Sequence, residues 1–286
     1  MIASLSACGG GGELDAPRAG SPTDPPAPQI EGRLIVLCGH DYATQDLYDI
    51  RDGTIARRTT SPSGNGIGNL AARNGRIALN RVRDAIGHVE IGRLDAPTFD
   101  GRVIAPGMTP ALDDDGTLAW SIVTEQRGRL ADAVYVKRPG RPARRVAVYR
   151  NVWALQYIDG RLRAITSDRG RYEQIRGIGE RAPKRTRLTT KKPGSSTWSH
   201  TGKLAYGNGR ARSNELRFLS ADGRRVARHI TNWQAMAWSP DERSLLVSTA
   251  VRNPPEIGLM NPRTGAVRSL GSLPCGWMAR ARWLPG

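Results

Sequence analysis

The stretch AWSPDERSLLVST, Ala237 to Thr249, decides the fold. An apolar residue, the turn formers Ser239-Pro240-Asp241 and the run Leu245-Leu246-Val247 read as strand, tight turn, strand. One hairpin says little, but this one recurs. Aligned on the tip of the turn, the chain contains NLAARNGRIALN, PALDDDGTLAWS, ALQYIDGRLRAI, STWSHTGKLAYG and AMAWSPDERSLLV. The tips are Gly75, Gly116, Gly160, Gly202 and Glu242, separated by 41, 44, 42 and 40 residues. A spacing held four times running marks a repeat architecture. Glycine recurs at the tip because the turn there requires φ > 0.

A second landmark keeps the same period. It is an alternating strand, a turn and a short basic strand, seen in DLYDIRDGTIARRT, HVEIGRLDAPTFDGRVIA, AVYVKRPGRPARRVAV, YEQIRGIGERAPKRTRLT, NELRFLSADGRRVARHIT and EIGLMNPRTGAVRSL. Each unit therefore supplies four strands, called A to D. Strand B is apolar at adjacent positions, as in Ile77-Ala78-Leu79, Leu118-Ala119-Trp120 and Leu204-Ala205-Tyr206. Adjacent apolar residues mean that both faces of the strand are buried, as when a small sheet sits between two others. Six such units predict an all-β fold, a six-bladed β-propeller of four-stranded, WD-like blades.

The ends of the chain fit a ring. The first unit, from Arg33, has strands B (RLIVLC), C and D but no A, whereas the chain finishes on ARARWLPG, an A strand with no B after it. Trp283-Leu284-Pro285-Gly286 mirrors Trp238-Ser239-Pro240-Asp241. The C-terminal strand is expected to complete blade one and close the ring. An open solenoid would leave unpaired edges and need polar caps.

WSPDERSLLVST resembles the Trp-Ser-Pro-Asp-Gly repeat of TolB-like propellers, with Glu242 where glycine is usual and Trp198-Ser199 a weaker copy. The resemblance covers residues 32–286 and implies the fold. It transfers function poorly, because the same repeat also occurs in peptidases and in many surface proteins.

Residues 1–31 are of another kind. Leu5-Ser6-Ala7-Cys8 resembles the lipobox of bacterial lipoproteins, in which the cysteine is lipidated, and it is followed by four glycines and a stretch rich in Pro, Ala, Ser and Asp. That composition has almost nothing to bury and reads as a disordered tether. Only seven residues precede Cys8, fewer than a signal peptide needs, so the remaining export signal is expected upstream of Met1 or in a trimmed leader. No run of about 18 apolar residues occurs, so the expected membrane attachment is the lipid and not a spanning helix. The balance of 43 basic against 26 acidic residues, net +17, is carried almost wholly by arginine. Such a charge fits a GC-rich genome as well as an anionic partner such as lipid headgroups or a cell-wall polymer. Nucleic acid is disfavoured by the apparent export signal and the lack of a recognisable module.

The search for chemistry yields little. His40, His88, His200 and His229 fall in four different units without metal-ligand spacing. Asp113-Asp114-Asp115-Gly116 lacks the alternate spacing of a calcium loop and reads as a solvated turn. No catalytic residue, cofactor or metal is expected. One constellation follows from topology, because B–C and D–A loops emerge at the same end of the ring. The B–C loops carry Arg81 and Arg83, Arg127 and Arg129, Arg169 and Arg171, Arg210 and Arg212, and Arg252, a partial ring of guanidiniums suited to carboxylate or phosphate.

Cys38 and Cys275 fall at that same end of blade one. The register of the opening hairpin puts Cys38 opposite Ala279, with Cys275 a few residues beyond. A disulfide would need the loop to fold back, and an oxidising compartment would favour it. The residues therefore favour a monomeric, extracytoplasmic, lipid-anchored propeller that binds a protein or an anionic envelope component. The alternative is a lyase, lactonase or hydrolase using His40, Asp41 and the arginines at the channel mouth.

Overall fold

The protein is built from 24 strands in six antiparallel sheets of four, with no helix among the described residues. The computed structural model describes residues 30–39, 45–52, 54–60, 67–83, 86–189, 193–208, 214–249, 254–273 and 276–285. Blade one holds β1 (Arg33–Gly39), β2 (Gln45–Arg51) and β3 (Thr54–Thr60), and blade two holds β4 (Ile67–Arg73), β5 (Arg76–Arg83), β6 (Ile86–Arg93) and β7 (Arg102–Pro106). Blade three is β8 (Met108–Leu112), β9 (Leu118–Gln126), β10 (Arg129–Lys137) and β11 (Arg144–Tyr149). Blade four is β12 (Asn151–Ile158), β13 (Arg161–Asp168), β14 (Arg171–Arg176) and β15 (Lys184–Thr189). Blade five is β16 (Pro193–Trp198), β17 (Leu204–Asn208), β18 (Asn214–Leu219) and β19 (Arg225–Thr231). Blade six is β20 (Trp233–Trp238), β21 (Leu245–Thr249), β22 (Glu256–Met260) and β23 (Val267–Ser272). The last strand, β24 (Trp277–Leu284), returns to pair with β1, giving blade one the order β24-β1-β2-β3 and closing the ring.

The core is six layers, one between each pair of neighbouring blades. Adjacent residues of a B strand supply opposite layers. In β1, Leu34 and Val36 pack against Met236 and Leu246 of blade six, while Ile35 and Leu37 pack against Leu70 and Leu79 of blade two. In β13, Ala164 joins the layer shared with Val134 of blade three and Ile165 the layer shared with Tyr206 of blade five. In β21, Leu245 and Val247 face Phe218 of blade five, while Leu246 faces blade one. This is why β1 and β21 are buried at every position. The D strands lie on the perimeter: β11 and β19 begin with exposed arginines, after which β19 alternates half-buried and exposed positions and β11 is half-buried throughout.

The closing register matches expectation at one end, with Leu34 opposite Trp283 as Leu245 is opposite Trp238. It departs from it at the other. A bulge between Leu37 and Cys38 slips the pairing by one, so Cys38 lies opposite Met278 and not Ala279. Bulges add one residue to one strand and cannot be counted from a regular alternation. The first described residues and the closing strand feed the same layer, in which Ile30, Met278 and Ala281 pack with Leu34 and Leu246.

Deleting the chain from Trp277 onward removes β24, strips this layer and leaves β1 with an unpaired edge. The truncated protein is expected to lose about 4 kcal/mol or more of stability and to unfold over a broader range in calorimetry. A melt as high and as cooperative as that of the full chain would show that closure contributes nothing.

Candidate functional site

The A–B turns converge on one end of the central channel. Their tips have positive φ: 68° at Gly75, 83° at Gly116, 70° at Gly160, 92° at Gly202 and 55° at Glu242. In the opening hairpin the Ser239 hydroxyl accepts from the Ser244 N–H at 2.9 Å and donates to Asp241, whose carboxylate also accepts from the Arg243 N–H. The serine thus closes the turn and the aspartate fixes its tip.

Glu242 tolerates its left-handed backbone because its carboxylate staples blade six to blade five. It accepts from the Thr201 N–H at 2.7 Å and the Thr201 hydroxyl at 2.6 Å, and it lies 2.9 Å from Lys203 Nζ and 3.0 Å from His200 Nδ1. Burial alone would raise its pKa, but the donors on Thr201, Lys203 and Ser199 outweigh it and hold the carboxyl at about 2. The glutamate that departs from the repeat pattern is therefore an inter-blade clamp, a role visible only once the two turns are side by side.

Within the circle of turns lies a funnel of about 540 Å³ at the hub, lined by the inner strands and A–B turns of the ring. Trp198, Trp238 and Trp283, from equivalent positions of blades five, six and one, line its wall. Trp238 Nε1 donates to Thr197 O at 3.3 Å and Trp283 Nε1 to Glu31 O at 2.8 Å, whereas the buried Trp198 Nε1 has no hydrogen-bond partner among the described residues. The basic groups of the funnel are mostly matched. Arg33 forks onto Asp49 at 2.7 and 3.0 Å and reaches Asp95 at 2.7 Å, Arg73 chelates Asp114, and His200 faces Glu242. Arg282 is the exception: its guanidinium donates to Ala281 O at 3.3 Å and pairs with no carboxylate among the described residues.

Below the funnel the channel narrows to a waist of about 20 Å³, where Arg282 is joined by Arg280. Arg280 Nε donates to Asn69 Oδ1 at 3.3 Å across the closing interface. Burial, together with the neighbouring Arg280, pushes the Arg282 pKa down to about 10, and burial also lowers that of Arg280. Composition and motif did not single out this pair. The signal was present in the alternation of Met278-Ala279-Arg280-Ala281-Arg282-Trp283, which puts both arginines on one face of an innermost strand.

The arginines expected at the B–C end have different fates. Arg81 and Arg83 share the buried Glu90, with Arg81 Nε 3.1 Å from its carboxylate and also over the Phe99 ring. Arg127 and Arg129 flank one exposed turn, and Arg169 and Arg171 flank another. The latter pair borders a cleft of about 440 Å³ with Arg150, Arg185, Asp168 and Glu173. Arg210, Arg212 and Arg252 lie outside the described residues, as do Cys8, Cys275, His40 and Asp41. His88 sits in β6 opposite Arg81, and His229 Nε2 contacts Pro262 O at 2.9 Å. In the aspartate run, Asp114 is the partner of Arg73 and Asp115 caps its own turn by accepting from the Thr117 N–H at 2.7 Å. Among the described residues no three His, Cys, Asp or Glu side chains converge as a metal site.

These features define a closed six-bladed propeller with a funnel at the A–B end, TolB-like in fold. TolB from Acinetobacter baumannii superposes with a TM-score of 0.66 at 18% identity, covering 89% of this chain and 67% of that one. A chain of the nidogen/laminin complex gives 0.65 at 11%, covering 88% and 98%. The propeller domain of the trilobed protease from Pyrococcus furiosus, described as having an open velcro topology, gives 0.52 at 11%, covering 72% and 70%. No protein-family model and no curated protein matches the chain.

The clamp has a pH signature. A folded-state pKa of about 2, below the ordinary 4.5, gives stability that is complete above pH 4.5 and is lost as the pH falls towards 2. Glu242→Gln should cost about 1–3 kcal/mol at pH 7 and flatten the acid limb of a melting-temperature profile. An unchanged acid limb would remove Glu242 from the clamp.

Proposed function

We propose that the protein is an extracytoplasmic binding propeller, anchored through a lipid on Cys8, that holds an anionic envelope component or an acidic protein against its B–C end. The observation that carries this reading is the set of Arg127, Arg129, Arg169 and Arg171, exposed on neighbouring blades and matched by no ion pair among the described residues. Guanidiniums on rigid turns suit bidentate recognition of carboxylate or phosphate, and the net charge of +17 draws anions from a distance. A shared fold with a chain of the nidogen/laminin complex supports a protein-binding use of the scaffold. The described chain enters at Ile30, Glu31 and Gly32, beside the A–B end. The proposed tether therefore leaves from the end opposite these arginines.

Two arms test this. In cells exporting the chain, Cys8→Ser should move it from the membrane to the soluble fraction. With the anchor removed, changing the four arginines to Ala should weaken binding to anionic vesicles or wall polymer, with the difference shrinking as salt rises. The same number of changes at Arg144, Arg145, Arg224 and Arg225, on the opposite end, is the control. Equal losses from the two sets would reduce the site to general basicity.

The reading includes a Cys38–Cys275 bridge that locks the ring. Two observations support it. Cys38 is disulfide-bonded, and Gly276, the residue after Cys275, donates its N–H to Gly39 O at 2.9 Å. Closing so long a loop could add roughly 2–4 kcal/mol. Peptide mapping of unreduced, unfolded protein should recover the two cysteines linked, and alkylation of both thiols without reductant would disprove the bridge.

A further inference from the structure

We propose that the floor of the funnel is an oxyanion site, in which the Arg282 guanidinium, backed by Arg280, receives the carboxylate or phosphate head of a small ligand whose body fills the funnel. The site lies at the opposite end of the channel from the B–C arginines and does not depend on them.

Charge sets Arg282 apart. Of the other basic side chains lining the recess, Arg33 meets Asp49, Arg73 meets Asp114 and His200 faces Glu242, and among the described residues Asp114 is the one carboxylate in the lining. Arg282 meets none. The waist is lined by neutral polar groups of Asn69, Thr109, Gln156 and Ser196, with no Asp or Glu among the described residues. Two guanidiniums two residues apart on one strand, facing an enclosed lumen, repel each other and are stripped of much of their water. Arg282 pairs with no carboxylate among the described residues, and a partly desolvated cation without a counter-ion is costly, a cost that an oxyanion at Arg282 would offset.

Shape points the same way. Arg282 borders both the waist and the funnel, so its guanidinium stands where one opens into the other. The waist holds little more than a water molecule. The funnel, at about 540 Å³, is within the size range of small-molecule sites. An anionic head is thus met at the floor, while apolar walls that include Trp198, Trp238 and Trp283 accept the remainder. Trp198 borders both spaces, and its buried Nε1–H lacks a partner among the described residues.

The experiment is thermal-shift and calorimetric titration of the full chain with citrate, and separately with inorganic phosphate, each against sodium chloride of equal ionic strength. A saturable rise in Tm beyond the chloride control is expected with at least one of the two, and the larger response identifies the preferred head group. Arg282→Met should weaken that binding by about tenfold or more. Its ligand-free Tm should match or exceed the parent's, since it removes a half-buried charge that has no carboxylate partner among the described residues. If the methionine variant does not fold, Arg282→Lys retains the charge without the planar fork and should still bind several-fold more weakly. The double variant Arg127→Ala/Arg129→Ala should titrate like the parent. The proposal is overturned if neither anion exceeds the chloride control, if the shift grows without saturating, if the Arg282 variants bind as the parent does, or if the Arg127/Arg129 double loses the response.

Discussion

The structure depends on the burial of both faces of every B strand. A four-stranded sheet on its own can cover neither, so each blade is stable only between two others, and the chain must end where it began. β24 meets this requirement by supplying the innermost strand of blade one from the far end of the sequence. The layer it completes, with Ile30, Leu34, Leu246, Met278 and Ala281, draws on the segment before β1, on the closing strand and on blade six at once. The closing contacts join residues far apart in the sequence, which makes closure costly in loop entropy.

The same closure creates the polar interior. Arg280 and Arg282 lie in the channel because β24 is an inner strand, and Arg280 meets Asn69 across 211 residues of chain. Elsewhere several buried carboxylates are balanced locally. Glu90 takes Arg81 and Arg83, Asp49 takes Arg33, and Glu242 takes the donors of the neighbouring turn. Two sites depart from this: Arg282 in the channel meets no carboxylate among the described residues, and the buried Arg163 of blade four donates to the carbonyls of Gly202 and Ala221 instead.

The likeness to TolB and to a chain of the nidogen/laminin complex, at 18% and 11% identity, is one of fold. The scaffold brings turns from six blades to each end of one channel, so unrelated loop chemistry can be mounted on a common ring. Here the two ends differ. The A–B end is a recess with indoles and paired charges, and the B–C end carries exposed arginines on blades three and four.

Much of this architecture was legible in the chain. The spacing of the turn tips and the doubled apolar positions of the B strands specify four-stranded blades, because a strand buried on both faces cannot alternate with polar residues. The missing A strand at one end and the spare one at the other specify closure. These are local patterns, repeated, and repetition makes them readable. The rest needed three dimensions. The bulge that moves Cys38 from Ala279 to Met278 interrupts an alternation that gives no local warning of it. Glu242 looked like a lapse from the repeat until the turn at Thr201 was beside it. Arg81 and Arg83 read as free cations until the next strand brought Glu90 across. Arg280 and Arg282 read as more of a basic surface, because whether a charge faces water or a channel is set by which strands surround it, and that is decided only when the ring closes.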